Sequence, residues 1–162
     1  MAEKENITLN FNTGLEIIQN EYKCALARFK EMDSKFNTLL VFVAGEIAAF
    51  GALFSVINAQ IAFKIAFAVV FFTLLLTAII TNFIGLFTKY IELINTDSML
   101  KESLYKIDNI SFFAKFIATY HNCINCIEEK IRKKSTLFNV SLIFVILSLL
   151  AFCIFIVVYL FL

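Results

Sequence analysis

The chain has 162 residues and is 60% hydrophobic, with 20 phenylalanines, which exceeds the usual apolar share of a soluble globular domain. Its 14 basic and 13 acidic side chains nearly cancel, so the net charge alone singles out no class of partner. Long apolar runs argue against a water-soluble domain, and because the runs are continuous rather than alternating, they also argue against a membrane β-barrel.

Three segments are almost free of charged residues: 36–63, which contains only Glu46, then 65–88 and 135–162. A hydrocarbon layer of ~30 Å requires about 20 apolar residues of helix, and each segment is long enough. The sequence therefore predicts an all-α integral membrane protein with three transmembrane helices.

The first predicted elements are a flexible tail over residues 1–12 and a helix that begins at a Thr13–Glu16 capping box. No stop signal separates this helix, 13–35, from a first span at 36–57. Its apolar residues alternate in steps of three and four, which is typical of a coiled-coil seam. The members of this first seam are Leu15, Ile18, Tyr22, Ala25, Phe29, Met32 and Phe36.

A tight turn is predicted to lead to a second span at 61–88, followed by cytoplasmic helices over 89–134 and a third span at 135–162. Residues 13–162 would then form one helical membrane unit. The segment before the third span carries a second seam with the same spacing, composed of Ile110, Phe113, Ile117, Tyr120, Ile124, Ile127 and Ile131. The two seams are expected to pack either on each other within one chain or across the subunits of an oligomer.

The distribution of basic residues predicts the orientation. Thirteen of the 14 Lys and Arg residues lie in 1–35 and 89–134, and such regions face the cytoplasm by the positive-inside rule. We therefore expect an N-in/C-out protein with long cytoplasmic helical extensions. No cleavable signal peptide is recognised, so the first span would serve as an uncleaved anchor.

Glu46 is the first candidate for function because it is the one acidic residue within a span and lies about ten residues from its predicted start, or ~15 Å. A carboxylate there costs about 2.5–3.5 kcal/mol, so it should face protein or water, or be protonated. It is either a pore or gating residue or a neutral structural group bonded to a threonine or a backbone carbonyl. A stripe of small residues on the opposite side is expected to pack on another span: Ala44, Ala48, Gly51 and Ser55.

Thr73, Thr77 and Thr81 form a threonine stripe at four-residue intervals on the second span. Their hydroxyls either line a water-filled path, which makes them pore candidates, or bond their own helix and pack as small residues. The second interpretation is the simpler one.

A basic cluster precedes the third span and consists of Lys130, Arg132, Lys133 and Lys134. Contact with anionic lipid headgroups explains it, and a phosphate-bearing ligand is the alternative, although no Gly-rich loop accompanies the cluster.

Cys24, Cys123 and Cys126 form at most a weak metal site, because the one histidine, His121, points away from the two neighbouring cysteines on a helix. We therefore predict neither a metal nor another cofactor. With no nucleophile, base and orienting group at suitable spacing, the sequence also predicts that the protein is not an enzyme.

The segment Tyr22–Lys30, followed by Lys35-Phe36-Asn37, a pair of closely linked spans and a further cytoplasmic helix, resembles small membrane effectors of bacterial antiphage systems. These effectors are of the SLATT-like or Pycsar-effector-like kind, and the resemblance covers residues 15–105 in layout. It implies that a nucleotide or oligonucleotide signal, or its loss, triggers permeabilisation of the membrane. Because no ligand-binding domain is recognisable in this chain, a signal or partner protein would act on the cytoplasmic helices.

The sequence thus favours a homo-oligomeric pore-forming effector in the bacterial inner membrane, with lipid and a signal or cognate protein as partners. The alternative is a non-conducting scaffold or accessory subunit that docks a partner through the two seams. A holin-like lysis protein is a third possibility, which the length of the cytoplasmic helices disfavours.

Overall fold

A computed structural model describes residues 2–56, 61–88 and 109–161, and the segments that it describes are helical. The helices are α1, Ala2–Val56; α2, Ile61–Phe87; and α3, Asn109–Phe161. All three include stretches long and apolar enough to cross a membrane, as the sequence predicted. The chain is therefore an all-α protein with the features of a multi-pass membrane protein.

The beginning of α1 differs from the sequence-based prediction. The helix begins at Ala2, so residues 2–12 are helical rather than a flexible tail, and Thr13 lies inside the helix instead of capping it. The physical reason is the composition of this stretch, which contains alanine, glutamate and lysine but neither glycine nor proline before Gly14. A capping-box pattern cannot begin a helix that already extends through it.

The other described helix boundaries follow the apolar runs. Helix α1 ends at Val56, α2 spans the second apolar run, and α3 includes both the second seam and the third apolar run without interruption. The predicted turn after the first span and the predicted helices over 89–108 lie outside the described residues.

The described residues form two compact units, and α1 and α3 contribute to both. The polar unit contains the described residues up to Glu31 and those from Asn109 to Arg132. The apolar unit contains the described residues within 32–88 and those of 133–161.

In the polar unit the two seams pack against each other. Tyr22 meets Tyr120 edge-to-face with 5.5 Å between ring centroids, and Arg28 bonds Glu128 at 3.0 Å. Contact positions on the two helices advance together, so α1 and α3 run parallel here. The buried residues are Ile18, Ala25, Phe29, Ile124 and Ile127, and the partly buried ones are Leu15, Tyr22, Leu26, Ile117, Tyr120 and Ile131. Of the two arrangements left open by the sequence, this chain adopts the one within a single subunit.

The apolar unit is a three-helix bundle. Phe36 packs on Phe138 and Phe50 on Phe152, so α1 and α3 are again parallel. Helix α2 runs antiparallel to α1, because Asn82 contacts the Phe36 carbonyl whereas Lys64 contacts the Phe54 carbonyl. The core cluster contains Leu39, Val43, Phe50, Phe71, Leu75, Ala78 and Val145.

The spacing of the seams persists in the apolar unit. On α1 the steps of three and four continue through Met32, Phe36, Leu39, Val43, Glu46 and Phe50, all of which are buried. On α3 they continue through Lys134, Phe138, Ser141, Val145, Ser148, Phe152 and Phe155, which are buried or half-buried. The outer surface of this unit, by contrast, exposes many large apolar side chains, as expected for helices that face lipid.

Candidate functional site

Glu46 lies in the interior of the apolar unit and is only 7% exposed. Its Oε2 atom is 2.7 Å from the hydroxyl of Ser148 on α3. Its Oε1 atom is buried and has no hydrogen-bond partner among the described residues. Of the surroundings considered for Glu46, the structure shows contact with protein, and the bonded group is a serine rather than a threonine or a backbone carbonyl.

Two further polar contacts link α2 to the other helices. Ser141, which is fully buried, donates to the Ala78 carbonyl at 2.9 Å. The Asn82 amide donates to the Phe36 carbonyl at 3.4 Å, and its buried Oδ1 has no partner within the described part of the chain. Polar groups therefore recur through the core at positions where a soluble bundle would place apolar side chains.

Asp33 and Lys134 form an ion pair in which the lysine is fully buried and the aspartate is 24% exposed. This corrects the assignment of Lys134 to the headgroup-binding cluster, because its ammonium points inward. The reason is positional: Lys134 occupies a seam position of α3, seven residues before Ser141. Of the other cluster members, Arg132 and Lys133 are exposed and Lys130 is half-buried. These three remain candidates for contact with lipid headgroups or a phosphate-bearing ligand.

Within a single chain, the threonine stripe and Glu46 do not form one site. Thr73, Thr77 and Thr81 each donate to the carbonyl four residues earlier, at 2.7, 2.9 and 2.9 Å. They lie beside, rather than on, the buried face of α2, which is formed by Phe71, Leu75, Ala78, Asn82 and Gly85. Thr73 is exposed and the other two are half-buried, so the stripe borders the outer surface of the bundle.

The small-residue stripe on α1 is exposed as well. Ala44, Ala48, Gly51 and Ser55 contribute nothing to the core, and a Cβ added at Gly51 would meet no atom within 4 Å. The stripe was predicted to pack on another span, and for spans of the same chain this prediction is wrong. The seam positions on the opposite side of α1 make those contacts instead.

Phenylalanines fill the core on the side of Glu46 nearer the end of α1. Phe50 stacks on Phe71 with ring centroids 4.3 Å apart, and Phe67 packs on Phe155 at 4.6 Å. Phe63 stacks on the same Phe155 ring at 5.8 Å. The carboxyl therefore has polar layers on one side along the bundle and an aromatic layer on the other.

A groove of about 580 Å³ lies between α1 and α3 in the polar unit. Its polar lining residues are Asn20, Glu21, Arg28, His121, Asn125 and Glu128. Cys24 lies in the same groove, while Cys123 and Cys126 are unbridged elsewhere on the unit. Within the described ranges, no three His, Cys, Asp or Glu residues are grouped closely enough to hold a metal ion.

The sequence analysis did not predict roles for Asp33, Ser141 and Ser148, although the seam spacing gives a signal for the two serines. Continuing the second seam beyond Ile131 in steps of three and four reaches Lys134, Ser141 and Ser148. Continuing the first seam beyond Phe36 reaches Glu46. The heptad rule thus predicts that these polar residues face one another.

No protein-family model, curated protein or solved structure matches this chain.

Proposed function

We propose that this protein is a homo-oligomeric membrane effector that permeabilises the bilayer, and that Glu46 controls its conducting state. The observation that carries the proposal is the buried Glu46 carboxyl with one oxygen lacking a hydrogen-bond donor in the described core. A contact that only held α1 to α3 would need no ionisable group. Ionisable residues inside membrane spans are costly and most often serve transport or gating.

An oligomer would give the threonine stripe a role that it lacks in one chain. Because Thr73 and its neighbours border the outer surface, hydroxyls from adjacent chains would line a path between subunits. The contact between Glu46 and Ser148 would then hold each chain in its resting arrangement.

The effector role, the bacterial inner membrane and the N-in/C-out orientation follow from the layout resemblance and the charge distribution. In that orientation the polar unit is cytoplasmic. Its groove, lined by amide, carboxylate, imidazole and guanidinium groups, supports the proposal that a nucleotide signal or a partner protein acts there.

The alternative is a non-conducting scaffold that docks a partner through the two seams. In the polar unit the residues of the two seams pack against each other. A docking role would have to use the groove or the outer surface instead.

Induced expression in bacteria carrying a potential-sensitive dye tests the proposal. We expect the wild-type chain to depolarise the cells in at least one of two conditions, with its cognate partner or without it. Glu46→Gln should alter the extent of depolarisation at equal membrane abundance. Thr77→Val should also alter it, because Thr77 belongs to the stripe. Thr119→Val is the matched control, since Thr119 makes the same bond to the carbonyl four residues earlier but lies in the polar unit.

An absence of depolarisation both with and without the partner would contradict a pore. If Glu46→Gln instead lowered only the abundance of the protein, Glu46 would be structural.

A further inference from the structure

The hydroxyl of Ser148 has two acceptors but a single hydrogen. Its Oγ lies 2.7 Å from the Val145 carbonyl oxygen and 2.7 Å from Glu46 Oε2. A serine hydroxyl supplies one hydrogen, which can satisfy only one of these short contacts fully. The second contact is favourable if its hydrogen comes from the carboxyl, with Glu46 donating to Ser148 and Ser148 donating to Val145.

The surroundings of Glu46 provide no compensating charge. The core cluster of the same unit is apolar on every helix: Leu39, Val43 and Phe50 on α1, Phe71, Leu75 and Ala78 on α2, and Val145 on α3. Among the described residues, Lys64 on α2 places its ammonium 3.4 Å from the Phe54 carbonyl oxygen, eight residues or about 12 Å along α1 from Glu46. On the other side of Glu46 lie Asp33 and Lys134, which pair with each other. Asp33 lies thirteen residues from Glu46, which is about 20 Å along the helix.

The unpartnered oxygen leads to the same assignment. If Glu46 were ionised, Oε1 would carry part of a negative charge in an apolar core without a donor. In the neutral acid, Oε1 is an uncharged carbonyl oxygen, whose burial without a donor is far less costly.

We infer that Glu46 is a proton-binding site, occupied in this arrangement, and that the bound proton forms the hydrogen bond that fastens α1 to α3. Release would transfer the proton from Oε2 to an entering water molecule and leave a carboxylate. That carboxylate would favour access of water to the core and separation of the helices. Any effect of proton release on permeation rests on the proposed function, whereas the presence of the proton on Glu46 does not.

Infrared spectroscopy of the full chain in lipid vesicles at neutral pH, with ¹³C-labelled glutamate, tests the assignment. We expect a carbonyl-stretch band of a protonated carboxyl that disappears in Glu46→Gln. Ser148→Ala should shift this band to higher frequency, because the acid loses its acceptor. Ser141→Ala is the matched control and should leave it unchanged, since Ser141 bonds Ala78 and not Glu46.

A difference spectrum between wild type and Glu46→Gln that contains only carboxylate bands would overturn the inference. A protonated band that Ser148→Ala does not shift would overturn the hydrogen-bond assignment. The infrared measurement does not depend on conduction, so it tests the proton site separately from the pore. If Glu46 is protonated but the chain fails to depolarise cells, the proton site stands and the pore is contradicted.

Discussion

The polar and apolar units use the same seam spacing on α1 and α3 but fill it with opposite chemistry. In the polar unit the seam is apolar, and the ion pair between Arg28 and Glu128 lies on the exposed surface. In the apolar unit the exterior is apolar, and the buried polar residues of the described chain all lie here: Glu46, Asn82, Lys134, Ser141 and Ser148.

This difference shows which force holds each unit together. In water, burial of apolar surface drives helices to associate. Between helices in lipid that force is absent, so close packing and hydrogen bonds between helices must hold the bundle. A serine or glutamate at a seam position is therefore a weakness in the polar unit but a source of attraction in the apolar one.

The largest effect should come from breaking the buried ion pair. Asp33→Ala removes the carboxylate that pairs with the fully buried Lys134, and we expect a loss of about 3 kcal/mol in the free energy of unfolding. Because Asp33 is partly exposed, we place the expected loss in the free energy of unfolding near the lower end of the range for buried ion pairs. Reversible unfolding in mixed detergent micelles measures it.

The exposed pair in the polar unit is the matched control. Arg28→Ala removes a salt bridge between the same two helices, but its side chains are about half exposed, so the loss should stay below about 1 kcal/mol. Equal losses for the two variants would mean that the ion pairs are equally solvated, contrary to the contrast between the units.

A smaller effect is expected at the close approach of α2 to α1. A Cβ at Gly85 would collide with the ring of Phe36, which is fully buried, so Gly85→Ala should cost about 1–3 kcal/mol. The same unfolding assay measures it, and the loss should shrink when Phe36→Leu is combined with it.

Gly45 provides the comparison, because a Cβ there meets no atom within 4 Å. Gly45→Ala should be neutral or stabilise the helix by up to about 1 kcal/mol. If Gly85→Ala were equally harmless, packing between α1 and α2 would be looser than the bundle requires.

Much of this fold was predictable from periodicity and hydropathy. The apolar runs located the helices that can cross a membrane, and the seams identified the residues that pair in the polar unit. The polar contacts were not predicted, because the seam spacing was not extended from the polar segments into the spans. Three successive spans already make α1 and α3 parallel, but the partner of each polar group depends on how the two helices align along their axes, which hydropathy does not specify.

The candidate site was predictable only in part. Glu46 was identified because a charge in an apolar run is conspicuous, but Ser148 resembles any small residue in a span. Lys134 was assigned to a basic cluster because its neighbours are basic, whereas its seam position turns it inward. The threonine stripe was recognised, yet its separation from Glu46 depends on which face of α2 packs on the other helices.

The central claim is that Glu46 and Ser148 of the same chain face each other inside the bundle. Solid-state NMR of chains labelled with ¹³C at both glutamate and serine, diluted into unlabelled chains in lipid, measures this directly. We predict a cross-peak between Glu46 Cδ and Ser148 Cβ whose intensity per labelled chain is unchanged by dilution. A cross-peak that fades on dilution, and appears when chains labelled only at glutamate are mixed with chains labelled only at serine, would place the contact between subunits and contradict the account.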